Sequence, residues 1–337
     1  MFIVKVPGIN GLGKTKGCEK APNLVLEALN EIHSTEHGKP INSRLLDLEE
    51  IHLDNSDLEL SNNLIYKNSF KMFESQPKTI FIGGDHSISY SITRAFLDSC
   101  QNSGKESCLI VFDAHADCMK PMKEPTHEEW LRKIIEDGFP VQNILLVGVR
   151  NLWKDEITFL KEKNIKIISM NQLTENLPEI CDTIMEFSGG KNLYVSVDID
   201  VIDPAFAPGT GYREPGGLSS RDFIYLIQRI NKIKNFRAID IVEINPEKDR
   251  DNLTVKLGAK ILGELIELDE GEIKKIDLDD DGYYDLQISC KEVRINGYAD
   301  LEFKEIHEEV PAGKKKNKKS RARLKRRLNR GCGFLAE

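Results

Sequence analysis

Short runs of Val, Ile and Leu recur along the chain, and each is followed by a loop and then by a segment with helical spacing of apolar residues. Continuous apolar runs of this length are typical of strands that are buried on both faces, as in a parallel sheet. The predicted strands are residues 2–6, 79–82, 108–112, 144–147, 165–168, 193–197 and 238–244. The clearest predicted helices are residues 22–32, 127–135, 219–233 and 254–266. This alternation predicts an α/β domain in three layers, with a mostly parallel central sheet.

The pattern changes after about Glu267, where polar and apolar residues alternate with the period of a strand. Residues 273–276, 283–288 and 292–298 have this alternation. We therefore predict a main domain over residues 1–267, a small β-rich appendage over residues 268–310, and a basic, flexible tail over residues 311–337.

Length and composition describe a globular protein. A chain of 337 residues can hide roughly 75% of its unfolded surface, and 40% of its residues are apolar. No window supplies the ~20 uncharged apolar residues that cross a bilayer, and the first apolar run is too short for a signal peptide. We expect a cytoplasmic protein. The seven cysteines are scattered without a CxxC pair, which disfavours a disulfide framework or a thiolate zinc site.

The net charge of −8 averages two different regions. Residues 314–330 contain eleven Lys or Arg and no acid, so the rest of the chain carries −19. Such a tail can contact nucleic acid, an anionic membrane or the acidic body of its own oligomer, and a solvated tail is the more common outcome. The sequence does not choose between these alternatives.

Three motifs follow predicted strands, where ligands bind at the carboxyl edge of a parallel sheet. They are Gly-Gly-Asp-His-Ser at 83–87, Asp-Ala-His-Ala-Asp at 113–117 and Asp-Ile-Asp at 198–200. Residues two apart on a strand point to the same face, so Asp113 with His115, and Asp198 with Asp200, are expected to converge. The paired glycines before His86 allow a close approach of the backbone.

A single His or Asp after a strand is more often a packing residue or a helix cap. Four carboxylates buried together without cations, however, would have to take up protons. Carboxylate oxygens with some imidazole suit manganese better than zinc, and six ligands fit a pair of ions. Two ions about 3.5 Å apart can activate a water near neutral pH.

These motifs closely resemble those of the ureohydrolases, the family of arginase and agmatinase. The resemblance also includes residues 196–211, Ser-Val-Asp-Ile-Asp-Val-Ile-Asp-Pro-Ala-Phe-Ala-Pro-Gly-Thr-Gly, and Glu243 in Ile-Val-Glu-Ile-Asn-Pro. It covers roughly residues 1–266 and is specific, because five motifs occur in the family's order. It implies the arginase-like fold and a homo-oligomer.

The resemblance implies roles for individual residues. His86, Asp113, Asp117 and Asp198 would hold one Mn²⁺, and His115, Asp113, Asp198 and Asp200 would hold the second. Two Mn²⁺, four carboxylates and a hydroxide leave about −1 of formal charge, which predicts a small cationic guanidino substrate. Glu243 would pair with the guanidinium, unless it is an ordinary strand-end acid. Asp117 would help to stabilise the intermediate, and urea would leave with a protonated amine.

His127 would shuttle a proton to the leaving amine, as a histidine at this spacing does in the family. Residues 126–129, Thr-His-Glu-Glu, also have the pattern of a helix start, so a structural role stays open.

Departures from the family pattern bear on the substrate. Arginases have an Asn two residues after the aspartate that matches Asp117, and formimidoylglutamate hydrolases have a basic residue there; this chain has Met119. Agmatine, which has no carboxylate, is therefore the expected substrate. An arginase or guanidinobutyrase type of activity is the alternative. Tyr212 and Arg213 stand where small or apolar residues are commoner, and a cation near the site does not favour a dicationic substrate.

Two further motifs suggest other functions. Residues 8–15, Gly-Ile-Asn-Gly-Leu-Gly-Lys-Thr, match the phosphate loop GxxxxGK[ST], which would make the chain a nucleotide-binding protein using Lys14. A phosphate loop opens directly into a helix, however, and the helix is expected only near Pro22. Asp277, Asp279, Asp281 and Asp285 resemble a Ca²⁺ loop between strands, although a polar hairpin turn is the commoner structure.

Overall fold

Eight strands of the main unit form one sheet, and every strand pairing in it is parallel. The computed structural model describes residues 2–41, 43, 46–266, 273–276, 283–293 and 299–309. The chain divides into two compact units, one of residues 1–33 and 42–266 and the other of residues 34–41 and 267–337.

The strands of the main sheet lie in the order β2-β1-β3-β8-β7-β4-β5-β6. Their bounds are Phe2–Val6 (β1), Asp47–Glu50 (β2), Thr79–Gly83 (β3), Ser107–Phe112 (β4), Ile144–Val147 (β5), Lys166–Ile168 (β6), Asn192–Asp198 (β7) and Phe236–Val242 (β8). The seven predicted strands are thus confirmed within one or two residues, and the last of them ends at Val242 rather than Ile244.

Helices connect these strands, as parallel pairing requires. Their bounds are Ala21–Leu29 (α1), Leu58–Ser75 (α2), Ile88–Asn102 (α3), Trp130–Glu136 (α4), Lys154–Lys163 (α5), Met170–Glu175 (α6), Leu177–Phe187 (α7), Ser220–Ile230 (α8) and Leu253–Leu265 (α9). Helices α2, α3 and α4 contact one another in series, and so do α1, α9, α8, α7 and α6. These two groups flank the sheet, which confirms the three-layer α/β fold.

The core lies on both faces of the sheet. Side chains alternate along each strand, so Val4 and Val6 join a cluster with Phe81, Phe96 and Trp130 on the α2–α4 side. All residues of β3 and β4 are buried, which explains why both strands are apolar after their first residues, Thr79 and Ser107. Such a sheet fixes the backbone at its carboxyl edge.

The second unit contains a three-stranded antiparallel sheet. Its strands are Ile273–Ile276 (β9), Tyr283–Val293 (β10) and Ala299–Glu309 (β11). Strands β9 and β10 begin where the alternation predicts them, and β10 extends to Val293. The third predicted strand, residues 292–298, falls mostly on residues 294–298, which lie outside the described residues. The candidate Ca²⁺ ligands Asp277, Asp279 and Asp281, the side chain of Asp285 and the basic tail lie outside the described residues.

Within the described part of the chain, no helix has the length and the apolar character that a membrane crossing requires.

Candidate metal centre

The candidate site lies where four neighbouring strands end. Strands β3, β8, β7 and β4 are adjacent in the sheet, and their carboxyl ends lie at the same edge. His86 follows β3, Asp113 directly follows β4, Asp198 is the last residue of β7 and Glu243 directly follows β8. Four sequence segments that are far apart in the chain therefore converge at one edge of the sheet.

The six side chains expected to bind metal lie together in two groups that share Asp113. In the first group, Nδ1 of His86 lies 3.2 Å from Oδ2 of Asp113, 2.9 Å from Oδ2 of Asp117 and 3.3 Å from Oδ2 of Asp198. In the second group, Nδ1 of His115 lies 3.5 Å from Oδ1 of Asp113 and 3.0 Å from Oδ2 of Asp200. Ligand atoms of His86, Asp113 and Asp198, and those of Asp113, His115 and Asp200, all lie within 4.8 Å of one another. Each group can hold one cation, and Asp113 can bridge the two.

Unsatisfied polar atoms support a metal at this place. Nδ1 of His86 and Oδ2 of Asp113 are buried, and neither has a hydrogen-bond partner of good geometry among the described residues. Buried polar atoms are nearly always satisfied, so an orphaned nitrogen facing an orphaned carboxylate oxygen fits a site for a cation. The oxygen-rich donor set fits manganese.

Tight turns, rather than strand alternation, bring the paired residues together. Strand β4 ends before Asp113, and Ile199–Val201 form a 3-10 turn directly after β7. The backbone N–H of His115 donates to Oδ1 of Asp113 at 2.6 Å, and that of Asp200 donates to Oδ1 of Asp198 at 2.8 Å. The paired residues lie close together, as expected. The expected cause, alternation of side chains along a strand, was wrong, because only one residue of each pair is next to or on a strand.

The backbone at Asp117 is in the left-handed region, with φ of 51°. Such a conformation is uncommon for a residue with a side chain, and it is maintained where the surroundings impose it. Here the indole Nε1 of Trp130 donates to Oδ2 of Asp117 at 2.8 Å, and the Trp130 ring packs against His86 with centroids 4.8 Å apart. The first residue of α4 therefore orients both an aspartate and a histidine of the first group.

A buried polar chain supports His86 from inside the sheet. Nε2 of His86 lies 2.9 Å from Oγ of Ser196, which donates to Oδ1 of Asp240 at 2.7 Å. Ser89 and Tyr194 also donate to Oδ2 of Asp240. Such outer partners fix the ring orientation of a ligating histidine. The sequence analysis missed Asp240, although a charged residue inside the apolar run 238–244 is a signal for such a role.

Burial changes the protonation of the carboxylates. Burial, together with the charge of Asp113, raises the pKa of Asp117 to about 7. Burial and the charge of Asp200 raise the pKa of Asp198 well above its ordinary range. Burial acts in the same direction on Asp113, but the nearby imidazoles of His115 and His86 outweigh it and lower the pKa of Asp113.

The two histidines respond in the opposite direction. Burial opposes their protonation, but the surrounding carboxylates outweigh burial and raise the pKa of both His86 and His115. Protons therefore balance the charge of the cluster in the metal-free chain. Bound metal ions would take over this role and release the protons.

We expect Mn²⁺ affinity to increase with pH. The pKa of Asp117 is about 7, so below that pH a proton must leave Asp117 when an ion binds, and the affinity falls about tenfold per pH unit for each such proton. Titration calorimetry at pH 6, 7 and 8, in buffers with different ionisation enthalpies, measures both the affinity and the protons released. Affinity that does not change with pH would contradict this prediction.

Glu243 lies beside His86 of the first group, and its backbone is in the left-handed region with φ of 62°. Its backbone N–H donates to the carbonyl of Gly84 at 2.9 Å, and its Oε1 accepts from the backbone N–H of His86 at 2.9 Å. A Cβ at Gly84 would lie 2.0 Å from the carbonyl oxygen of Gly8, so the close approach expected for the paired glycines is present. Burial, and then the charge of Asp85, raises the pKa of Glu243 well above its ordinary range. A buried carboxylate that has no ion pair among the described residues favours a cationic partner.

His127 is buried and lies beside Tyr212. Nε2 of His127 is 3.3 Å from the Tyr212 hydroxyl, and the two ring centroids are 5.5 Å apart. Burial lowers the pKa of His127, so its neutral form is favoured. Thr126 and Glu129 make the hydrogen bonds of a helix start, but α4 itself begins at Trp130, later than the predicted residue 127. The neutral form of His127 fits the proposed proton transfer, and the hydrogen bonds of Thr126 and Glu129 fit a structural role at a helix start.

The loop formed by residues 7–17 lies against the site and differs from a phosphate loop. The carboxylate Oδ2 of Asp85 accepts from the backbone N–H of Asn10 at 2.8 Å and from Oγ1 of Thr15 at 2.9 Å. A 3-10 turn at Cys18–Lys20 precedes α1, which begins at Ala21 as the position of Pro22 indicates. The loop therefore does not open directly into a helix, and its threonine binds a carboxylate instead of a metal-nucleotide.

Fold and site together define an α/β protein with a candidate two-ion centre at the carboxyl edge of a parallel sheet.

Comparison with known proteins identifies the family. Residues 1–267 match the Arginase family. The mitochondrial arginase of Medicago truncatula is 30% identical over 264 residues, which cover 74% of this chain and 76% of that protein. The solved structure of formimidoylglutamase from Bacillus subtilis is 26% identical with a TM-score of 0.72, covering 78% of this chain and 85% of that chain. Agmatine ureohydrolase of Thermoplasma volcanium is 25% identical with a TM-score of 0.67, covering 78% of this chain and 87% of that chain. The chain belongs to the arginase family, in agreement with the resemblance of its motifs to the ureohydrolases.

Proposed function

We propose that this chain is a manganese-dependent ureohydrolase that converts a guanidino compound and water to urea and a protonated amine. The observation that carries this proposal is the sharing of Asp113 by two His–Asp groups, with the buried Glu243 accepting a hydrogen bond from the backbone of His86. Relatives named arginase and agmatine ureohydrolase support the same reaction class.

In this proposal His86, Asp113, Asp117 and Asp198 hold one Mn²⁺, and His115, Asp113, Asp198 and Asp200 hold the other. Bound ions of this kind lower the pKa of water to about 7, which supplies a nucleophile at neutral pH. The carboxylate of Glu243 pairs with the guanidinium and orients its carbon toward the cluster. Asp117 helps to stabilise the tetrahedral intermediate, and His127, neutral through burial, transfers a proton to the leaving amine.

The substrate within this class is the finer part of the proposal. Agmatine is the substrate that Met119 favours, because the position offers neither an amide nor a cation to a carboxylate. An arginase or guanidinobutyrase type of activity is the second candidate, and the position of Lys14 favours a substrate with a carboxylate. Agmatine ends in an ammonium group and 4-guanidinobutyrate ends in a carboxylate, so assays with these two compounds distinguish the candidates.

The proposal is tested by loading the purified protein with Mn²⁺ and measuring urea from agmatine, arginine, 4-guanidinobutyrate and free guanidine. We expect urea from at least one of these compounds and none after treatment of the protein with a chelator. Absence of urea from all four compounds with Mn²⁺-loaded protein would overturn the proposed function.

A further inference from the structure

The candidate site is open to solvent near His115. The side chain of His115 is 23% exposed, whereas those of His86 and Asp113 are 0% and 1% exposed. The Tyr212 ring packs edge-on against His115 with centroids 6.1 Å apart, and it also packs against His127. Tyr212 therefore lies at the open side of the cluster, where the tail of a bound guanidino compound would run outward.

Lys14 places a positive charge at this opening. Its Nζ lies 5.2 Å from the centroid of the Tyr212 ring. No carboxylate among the described residues forms an ion pair with this exposed lysine, whereas Lys5 and Lys20 pair with Glu50 and Glu247. The ammonium group of Lys14 is thus available to a ligand.

The backbone around Lys14 is held firmly. Its carbonyl accepts from Nζ of Lys248 at 2.7 Å, and Nδ2 of Asn245 donates to the carbonyl of Lys16 at 2.9 Å. Gly13 has φ of 58°, and a Cβ there would lie 2.1 Å from the Tyr212 hydroxyl, so the loop passes directly against this ring. Gly13 and Lys14, which match the phosphate-loop pattern in the sequence, therefore both lie against Tyr212 in the structure.

Two other charged groups near the opening have hydrogen-bond partners. Arg213 donates from Nε to the carbonyl of Pro208 at 2.6 Å and from a terminal nitrogen to that of Lys248 at 2.7 Å. Glu214 accepts from Asn151 at 2.9 Å and lies 3.5 Å from Nε2 of His115. Glu128 lies 3.7 Å from Nε2 of His127, whose neutral form is favoured, so this contact is not an ion pair. Unlike Arg213, the side chain of Lys14 has no hydrogen bond to a described residue.

We propose that Lys14 recognises the tail of the substrate, and that this tail is a carboxylate. The assignment rests on the proposed function, since it needs the guanidinium at Glu243 and a short aliphatic chain that leads past Tyr212. A carboxylate at the end of that chain would pair with the ammonium group of Lys14, whereas the ammonium group of agmatine would be repelled by it. A guanidino acid, the second candidate above, is then preferred over agmatine, which Met119 alone would favour.

The test compares three compounds with the same four-carbon chain and different tail charges: 4-guanidinobutyrate, agmatine and neutral butylguanidine. Replacing Lys14 with methionine removes the charge and keeps the aliphatic part. We expect kcat/KM for 4-guanidinobutyrate to fall about fivefold, which is the usual effect of one solvent-exposed ion pair, and kcat/KM for butylguanidine to stay unchanged. The variant Lys14→Glu should reverse the preference between the two charged compounds.

Lys16→Met is the matched control, because Lys16 is an exposed lysine of the same loop that contributes its backbone carbonyl. This control should keep the wild-type preference, and the thermal midpoint of each variant checks that it is folded. An equal effect of Lys14→Met on all three compounds would overturn the assignment and leave the ureohydrolase proposal intact. Absence of urea from all three compounds with the wild-type protein would overturn this assignment, and absence of urea from arginine and free guanidine as well would overturn both proposals.

Discussion

Replacing Asp113 with asparagine is expected to abolish most urea release and to remove both metal ions. Oδ2 of Asp113 faces His86, and Oδ1 faces His115, so this one carboxylate belongs to both ligand groups. Asparagine keeps the shape of aspartate but removes its charge. The activity should therefore fall on the order of 10³-fold, which corresponds to a loss of several kcal/mol of metal-dependent stabilisation of the transition state. Elemental analysis after desalting measures the manganese content, and a urea assay measures the activity.

Asp203→Asn is the matched control for this variant. Asp203 belongs to the same sequence motif as Asp198 and Asp200, but its carboxylate accepts from the backbone N–H groups of Gly216 and Gly217. This control should keep its manganese. An Asp113→Asn variant that retains two ions per chain would show that Asp113 does not bridge the two groups.

The Glu243→Gln variant is expected to separate substrate binding from metal binding. Removing one partner of a buried charge pair costs about 2–5 kcal/mol, so kcat/KM should fall on the order of 10²- to 10³-fold. The manganese content should not change, since neither described ligand group includes Glu243. Steady-state kinetics with the best substrate, and metal analysis of the same preparation, measure the two effects.

The same substitution should stabilise the metal-free protein. Burial raises the pKa of Glu243 in the folded protein, so this group destabilises the fold increasingly as pH rises above its ordinary pKa, and a neutral glutamine removes this cost. We expect a higher thermal midpoint for the Glu243→Gln variant at pH 8. The exposed Glu247, replaced with glutamine, serves as the control. Loss of manganese from Glu243→Gln would indicate a metal-binding role instead.

The fold could be predicted where apolar residues are continuous. Strands such as Thr79–Gly83 and Ile144–Val147 are buried on both faces, so apart from Thr79 their sequences have no polar side chain. Strand Asp47–Glu50 was missed, because it is a largely exposed edge strand with the sequence Asp-Leu-Glu-Glu. Its place in the sheet depends on pairing with β1 rather than on its own apolar pattern.

The candidate site could be predicted only in part. Its six candidate ligands stand in short motifs after strands, so the sequence alone indicates that they can meet at one edge of the sheet. The turns at Asp117 and Asp198, the support of His86 by Ser196 and Asp240, and the contact of Lys14 with Tyr212 could not be predicted. Each of these depends on tight turn geometry or on a contact between distant segments, which no local pattern encodes.

Anomalous diffraction from crystals of the Mn²⁺-loaded protein tests the central claim most directly. Two peaks are expected, one between His86 and Asp198 and one between His115 and Asp200, with Asp113 between them. A single peak, or peaks away from these five side chains, would contradict a two-ion centre.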